Sequence, residues 1–169
     1  VSITSHIEWY TTSFLKLLEE DWQAVELPVF YEAPTEIEDI RLWDDCVATL
    51  RDYFTVDSPE YRLLQRGIAV HHGKMPAPLA RRLKAVIERG LVRVVVATST
   101  LSEGVNLPVE YVLVPDVHRG KDALKPQEFL NLVGRAGRPG HGTEGRTLVL
   151  LPKASGRRDY NARRLIDGY

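Results

Sequence analysis

The residues from Asn131 to Gly140 read Asn-Leu-Val-Gly-Arg-Ala-Gly-Arg-Pro-Gly. Arg135 and Arg138 stand three apart, each directly preceded by a glycine, Gly134 or Gly137. A guanidinium is permanently charged and offers a planar fork of donors that matches phosphate oxygens. Glycines beside it leave room for a phosphate-bearing ligand to come close. The same composition also fits a surface turn, and a short basic motif by itself identifies no function.

A second segment, Val94 to Pro108, reads Val-Val-Val-Ala-Thr-Ser-Thr-Leu-Ser-Glu-Gly-Val-Asn-Leu-Pro. Its β-branched run suits a buried parallel strand. The run stops at Thr98, Ser99 and Thr100, hydroxyl residues suited to capping a helix. Gly104 then breaks regular structure, and Asn106 brings a polar side chain ahead of Pro108. Ligands of open α/β sheets collect at the carboxyl ends of strands, where these residues fall. An ordinary strand-loop-helix unit with polar caps reads the same way.

Together the two segments resemble motifs V and VI of superfamily-two helicases. Ala-Thr-Ser-Thr-Leu-Ser-Glu-Gly-Val-Asn-Leu-Pro followed by Gly-Arg-Ala-Gly-Arg-Pro-Gly is similar to the Ski-type DExH branch, and His71-His72-Gly73 matches its His-His segment. The matches run from about Gly67 to Gly140 in the order and spacing of that branch. One departure is plain: Asn131 stands where the branch usually carries glutamine, which puts its role in question but not that of the arginines.

The resemblance implies a second RecA-like domain, an α/β fold with a mostly parallel β-sheet, helices on both faces and three layers. It implies Arg138 as an arginine finger for ATP hydrolysis, with Arg135 as its companion on the phosphates. Glu103 and Gly104 would couple the nucleotide to the strand, and Asn106 and Asn131 would face the ribose or phosphates. Thr98, Ser99 and Thr100, with His72, Gly73 and Lys74, would contact a nucleic-acid backbone. Structural roles stay open beside these: an arginine braced by Glu103 or Glu128, Asn106 as a turn residue, His71 and His72 as packing residues. The sequence holds no Gly-x-x-x-x-Gly-Lys-Ser/Thr loop and no Asp-Glu-x-His. ATP and Mg²⁺ are therefore expected to be held mainly by a first RecA-like domain outside this chain, which would be a fragment of a larger helicase. A non-catalytic nucleic-acid-binding module is the alternative.

Composition agrees with a globular domain, at 44% apolar and 27% charged residues. No apolar run approaches the roughly 20 residues of a membrane span, so no membrane partner is expected; no signal peptide is recognisable, and the single cysteine favours a reduced, intracellular (cytoplasmic) setting. Cys46 is the single cysteine, and no histidine pair has metal-ligand spacing, so neither a disulfide nor a metal site is expected. The net charge of −1 hides an asymmetry. Ten acidic residues and only Arg41 as a base lie between Glu19 and Asp45, while six basic residues and only Glu88 as an acid lie between Lys74 and Arg93. The basic stretch, with Arg81, Arg82, Lys84 and Arg89, reads as a nucleic-acid face or a solvated helix face, and the acidic stretch should turn away from nucleic acid.

Along the chain, Val1 to Ser5 reads as the end of a strand, and Phe14, Leu15, Leu17 and Leu18 have helical spacing. Trp9, Tyr10 and Trp22 could stack on bases, though core packing is the commoner use. Trp22 to Pro34 reads as a connector. Apolar residues from Ile37 to Leu50 predict an amphipathic helix to about Tyr53, and Ser58-Pro59 a helix start. Residues 21–66 are expected to form a helical insertion or connector within a single domain spanning 1–169. Strands are predicted at Ile68–Val70, Leu91–Ala97, Tyr111–Val114 and Arg146–Leu151, helices at Pro78–Arg89 and Pro126 to about Ala136, and a terminal helical turn at Ala162–Ile166. Alternating strands and helices imply a mostly parallel sheet.

Overall fold

A computed structural model describes residues 3–22, 30–98, 109–115, 117–119, 122–134, 136–137, 145–150, 164 and 166–168. The chain divides into two compact units, one of Ile3–Val105 and one of Asn106–Tyr169 with Val1–Ser2.

The first unit opens with helix α1 (Ile3–Lys16), which runs on into a single π-helical turn, Leu17–Asp21. Residues 3–5 are thus helical rather than the end of a strand. Ile7, Thr11 and Leu15 recur every four residues and form the buried stripe of this helix. That stripe turns Trp9 outward: it is 63% exposed and meets the exposed Tyr10 edge-on, with ring centroids 5.0 Å apart. Core packing, the commoner use for both, is not what they do. Trp22 packs edge-on against Phe14 instead. Glu19, in the π turn, pairs with Arg62 at 2.6 Å and Arg66 at 2.9 Å.

Helix α2 spans Ile37–Tyr53, and α3 spans Pro59–Leu64 with Ser58 capping the backbone N–H of Tyr61 at 3.2 Å. Strand β1 (Ile68–His71) pairs in parallel with β2 (Val94–Ala97), and the crossover between them is α4 (Ala77–Glu88). β1 is buried from Ile68 to Val70, as a strand covered on both faces must be. Ile7, Leu15, Leu63, Ile68 and Val70 form one core cluster, with Phe14, Phe30 and Val96 packed on it. α4 lays Leu79, Leu83, Val86 and Ile87 inward and packs against α2, whose inward residues are Trp43, Cys46 and Leu50. Predicted helix and strand ends shift by a few residues, as at β2, which starts at Val94.

The second unit repeats the pattern. β3 (Tyr111–Val114) pairs in parallel with β6 (Arg146–Val149), Leu113 opposite Leu148. Between them come a short antiparallel pair, β4 (His118–Arg119) with β5 (Asp122–Ala123), and helix α5 (Pro126–Val133). The short pair has no counterpart in the sequence reading. Val117 and Phe129 are the buried centre, covered by Val133, Val149 and Ile166. Arg164, Ile166 and Asp167 are helical, in the region of the predicted terminal turn. Both units are parallel strand pairs joined through a helix, which is the α/β, RecA-like class read from the sequence.

Candidate functional site

The first group of candidate residues lies where β1 ends and α4 begins. His71 is the last residue of β1, and its carbonyl accepts the backbone N–H of Thr98, just beyond β2, at 3.1 Å. Two parallel strands thus end together, as the carboxyl-end rule requires. The His72 carbonyl accepts the Met75 N–H at 3.1 Å, closing a turn with Gly73 and Lys74 at its tip. Both tip residues are exposed, while Met75 is buried and anchors the turn. Gly73 is not among the glycines with positive φ, so the backbone does not demand glycine there; what it leaves is an uncovered peptide surface. α4 follows within two residues, and no side chain caps its first turn. The positive end of its dipole therefore stands beside the exposed turn, while Pro78 removes one of the leading N–H donors.

The two histidines are half-buried, and the Nδ1 atoms of both are buried with no hydrogen-bond partner among the described residues. Burial, and secondarily the charge of His72, holds the pKa of His71 below its usual value of 6.5. His71 is therefore neutral at pH 7. Thr98, read as a backbone contact, is only 6% exposed, and its own N–H is committed to His71.

The neighbouring basic stretch is largely paired. Arg82 meets Asp45 of α2 at 3.4 Å, Arg89 meets Asp39 of α2 at 2.5 Å, and Lys84 meets Glu88 at 3.7 Å. The acidic helix lies against the basic one because their apolar stripes pack together, which brings the flanking charges into range. Among the described residues, no ion pair involves Lys74 or Arg81, both exposed. Burial drives the Cys46 thiol up to about 12, offset in part by Arg82, so it stays protonated and offers no thiolate.

The second group lies at the end of α5. Glu128 reaches back to the Lys125 N–H at 2.9 Å, the reciprocal half of a capping box that starts the helix. Asn131 is exposed, and its Oδ1 accepts a bond from Gln127 Nε2 at 3.3 Å. The helix runs out at Gly134, whose N–H still reaches Leu130 O at 2.9 Å. Beyond it, Ala136 forms a parallel bridge with Val109, and the Gly137 N–H donates to Val109 O at 2.8 Å. Gly137 has φ of 92°, a conformation costly for any residue with a Cβ. Gly145 presses on the same spot: a Cβ added there would come within 1.9 Å of the Ala136 carbonyl carbon and 2.0 Å of the Gly137 nitrogen. The backbone between the two arginines is thus held from both sides.

Arg135 and Arg138 themselves lie outside the described residues, as do Ser99, Thr100, Glu103, Gly104 and Asn106. The structure brings together His71, His72, Gly73, Lys74 and Thr98 in the first unit, and Asn131 with Ala136 and Gly137 in the second. Among the described residues no group of His, Cys, Asp or Glu could hold a metal ion, and no helix is long and apolar enough to cross a membrane. Sequence reading missed Gln127 and Gly145. The four-residue spacing of Gln127 and Asn131 was a usable signal; nothing local marks Gly145, whose contact is made eight residues away in sequence.

The model of the helicase conserved C-terminal domain matches residues 46–140, more than half of the chain. ATP-dependent DNA helicase Hel308 of Pyrobaculum calidifontis is 36% identical over 111 residues, 63% of this chain and 16% of that protein. DNA polymerase theta of Caenorhabditis elegans is 44% identical over 91 residues, 52% of this chain and 5% of that protein. Antiviral helicase SKI2 of Saccharomyces cerevisiae is 36% identical over 92 residues, 52% of this chain and 7% of that protein. The chain thus spans at most 16% of the length of these three relatives. The parallel strand pairs agree with these matches, and the chain belongs to the helicase C-terminal domain family, as a second RecA-like domain of the Ski-like branch of superfamily two.

Proposed function

We propose that residues 1–169 form the second motor domain of an ATP-dependent helicase or translocase acting on single-stranded DNA or RNA, with 21–66 as a helical insertion or connector. The observation that supports this best is the arginine segment within the family match, its intervening backbone held by Val109 and Gly145. A held backbone aims a side chain at a fixed point, which electrostatic stabilisation of a transition state demands.

In this reading Arg138 meets the charge that develops on the γ-phosphoryl oxygens of ATP, and Arg135 holds the phosphates beside it. A finger of this kind contributes about 10³–10⁵ in rate, or about 4–7 kcal/mol of barrier. Glu103, Gly104, Asn106 and Asn131 contact the nucleotide. The first motor domain of the parent supplies the phosphate cradle, the general base and the ligands of Mg²⁺, which neutralises phosphate charge when bound. The isolated chain therefore turns over no ATP. The exposed turn at Gly73 and Lys74, with His72 and with Thr98, Ser99 and Thr100, grips the phosphate backbone of a single strand. Such contacts carry no sequence information, so the grip is sequence-tolerant.

The test is Arg138→Ala in the full-length parent. ATP turnover should fall by about 10³-fold or more while strand affinity stays within a few-fold, because the guanidinium acts on charge present only during transfer. Arg138→Lys should rescue little, since an ammonium lacks the planar fork. Near-normal turnover in a stably folded variant would sink the assignment, and a parent with strand affinity but no ATP turnover would identify a non-catalytic binding module instead.

A further inference from the structure

Asn131 carries its amide one methylene closer to the helix than the glutamine of the resembled branch. A shorter side chain reaches less far and leaves its amide plane to be set by its neighbours. Gln127 is that neighbour. It lies one turn earlier on α5, and its Nε2 donates to Asn131 Oδ1 at 3.3 Å. The bond engages the carbonyl end of the Asn131 amide. Among the described residues the Nδ2 donors of Asn131 meet no acceptor, and both side chains are exposed. The adjacent polar residue, Glu128, has a carboxylate oxygen committed to the Lys125 N–H at the start of the helix. An amide held by its oxygen presents its N–H groups outward, toward lone pairs such as those on phosphate, ribose or base. Helical hydrogen bonding persists to Gly134, so Asn131 shares a face with the residue that opens the arginine segment.

We propose that Gln127 is a positioning residue for nucleotide binding: it holds the Asn131 amide with its donors turned to the nucleotide. The proposal rests on the reading that the end of α5 faces ATP.

The test measures the Kd of a non-hydrolysable ATP analogue and kcat in the full-length parent, with melting temperature as the control for folding. Asn131→Ala should weaken the analogue about tenfold, the loss of one net hydrogen bond. Gln127→Ala should weaken it about twofold, as for a helix-surface amide pair, and leave kcat unchanged. Gln127→Glu keeps the length but offers only acceptors, which draw the Asn131 N–H groups back and add negative charge, so it should weaken the analogue more than Gln127→Ala. In an Asn131→Ala or Asn131→Gln background, Gln127→Ala should have no further effect. A Gln127→Ala loss that persists in the Asn131→Ala background, or no loss where Asn131→Ala weakens binding, overturns the positioning role alone. Unchanged affinity in Asn131→Ala overturns the nucleotide reading of α5 and the proposal with it.

Discussion

In the proposed function the turn after β1 and the segment after α5 meet the same demand, holding phosphate, from opposite ends of a helix. At His72–Met75 the chain is about to enter α4. The positive end of the helix dipole is already there with no side-chain cap, and Pro78 leaves the first turn one N–H donor short. In the proposed function the exposed Gly73 and Lys74 complete an anion-attracting surface there. After α5 the chain has just left a helix, at the negative end of its dipole. A helix end of that polarity disfavours phosphate, so in the proposed function the positive charge comes from side chains, those of Arg135 and Arg138. The difference also explains the glycines. Gly73 leaves peptide groups uncovered, whereas Gly137 and Gly145 are where backbone segments press together.

The comparison breaks most visibly at Gly145. Gly145→Val would force Cβ into the Ala136–Gly137 peptide. It should displace the arginine segment by about an ångström and lower ATP turnover of the parent about 10²-fold, with strand affinity little changed. Steady-state turnover beside a binding isotherm checks this; intact turnover would mean that the arginines do not depend on the clamp.

A smaller effect separates free from paired charge. Charge removal at Lys74 or Arg81 should each lower the log–log salt slope of single-strand binding by about 0.7. Arg82→Ala and Arg89→Ala should leave the slope nearly unchanged, because Asp45 and Asp39 already engage these side chains. Equal losses at all four positions would show that the acidic helix releases its arginines to the strand.

The smallest effect is set by pH, to which the arginine segment is indifferent and the histidine turn is not. The pKa of His71 lies below 6.5 in the folded chain. As pH falls below 6.5 the unfolded chain takes up a proton that the folded chain refuses, so stability declines, and the decline levels off once pH passes below the folded value. His71→Gln should flatten that part of a stability-against-pH curve. A wild-type curve that rises on acidification through this window would contradict a buried neutral His71.

Local pattern was enough for most helices and strands, but not for the start of α1, read as strand, nor for the short β4–β5 pair. Apolar spacing marks α2 at the same residues the structure has, Ser58-Pro59 opens α3, and β-branched runs mark β1, β2 and β3, because periodicity and capping act within a few residues of chain. The residue types proposed for phosphate chemistry are equally local, since Arg135, Arg138 and the glycines beside them sit next to one another in sequence. Tertiary structure decided the rest. That Trp9 faces out follows from which stripe of α1 the core takes. That Arg82 and Arg89 are engaged follows from α2 packing on α4, which no local run of charge encodes. Gly145 is needed because another part of the chain arrives at Ala136 and Gly137. The Gln127–Asn131 bond lies between these cases: helical spacing allows it, but which partner an amide takes depends on what else competes for it, and that is settled only when the neighbours are in place.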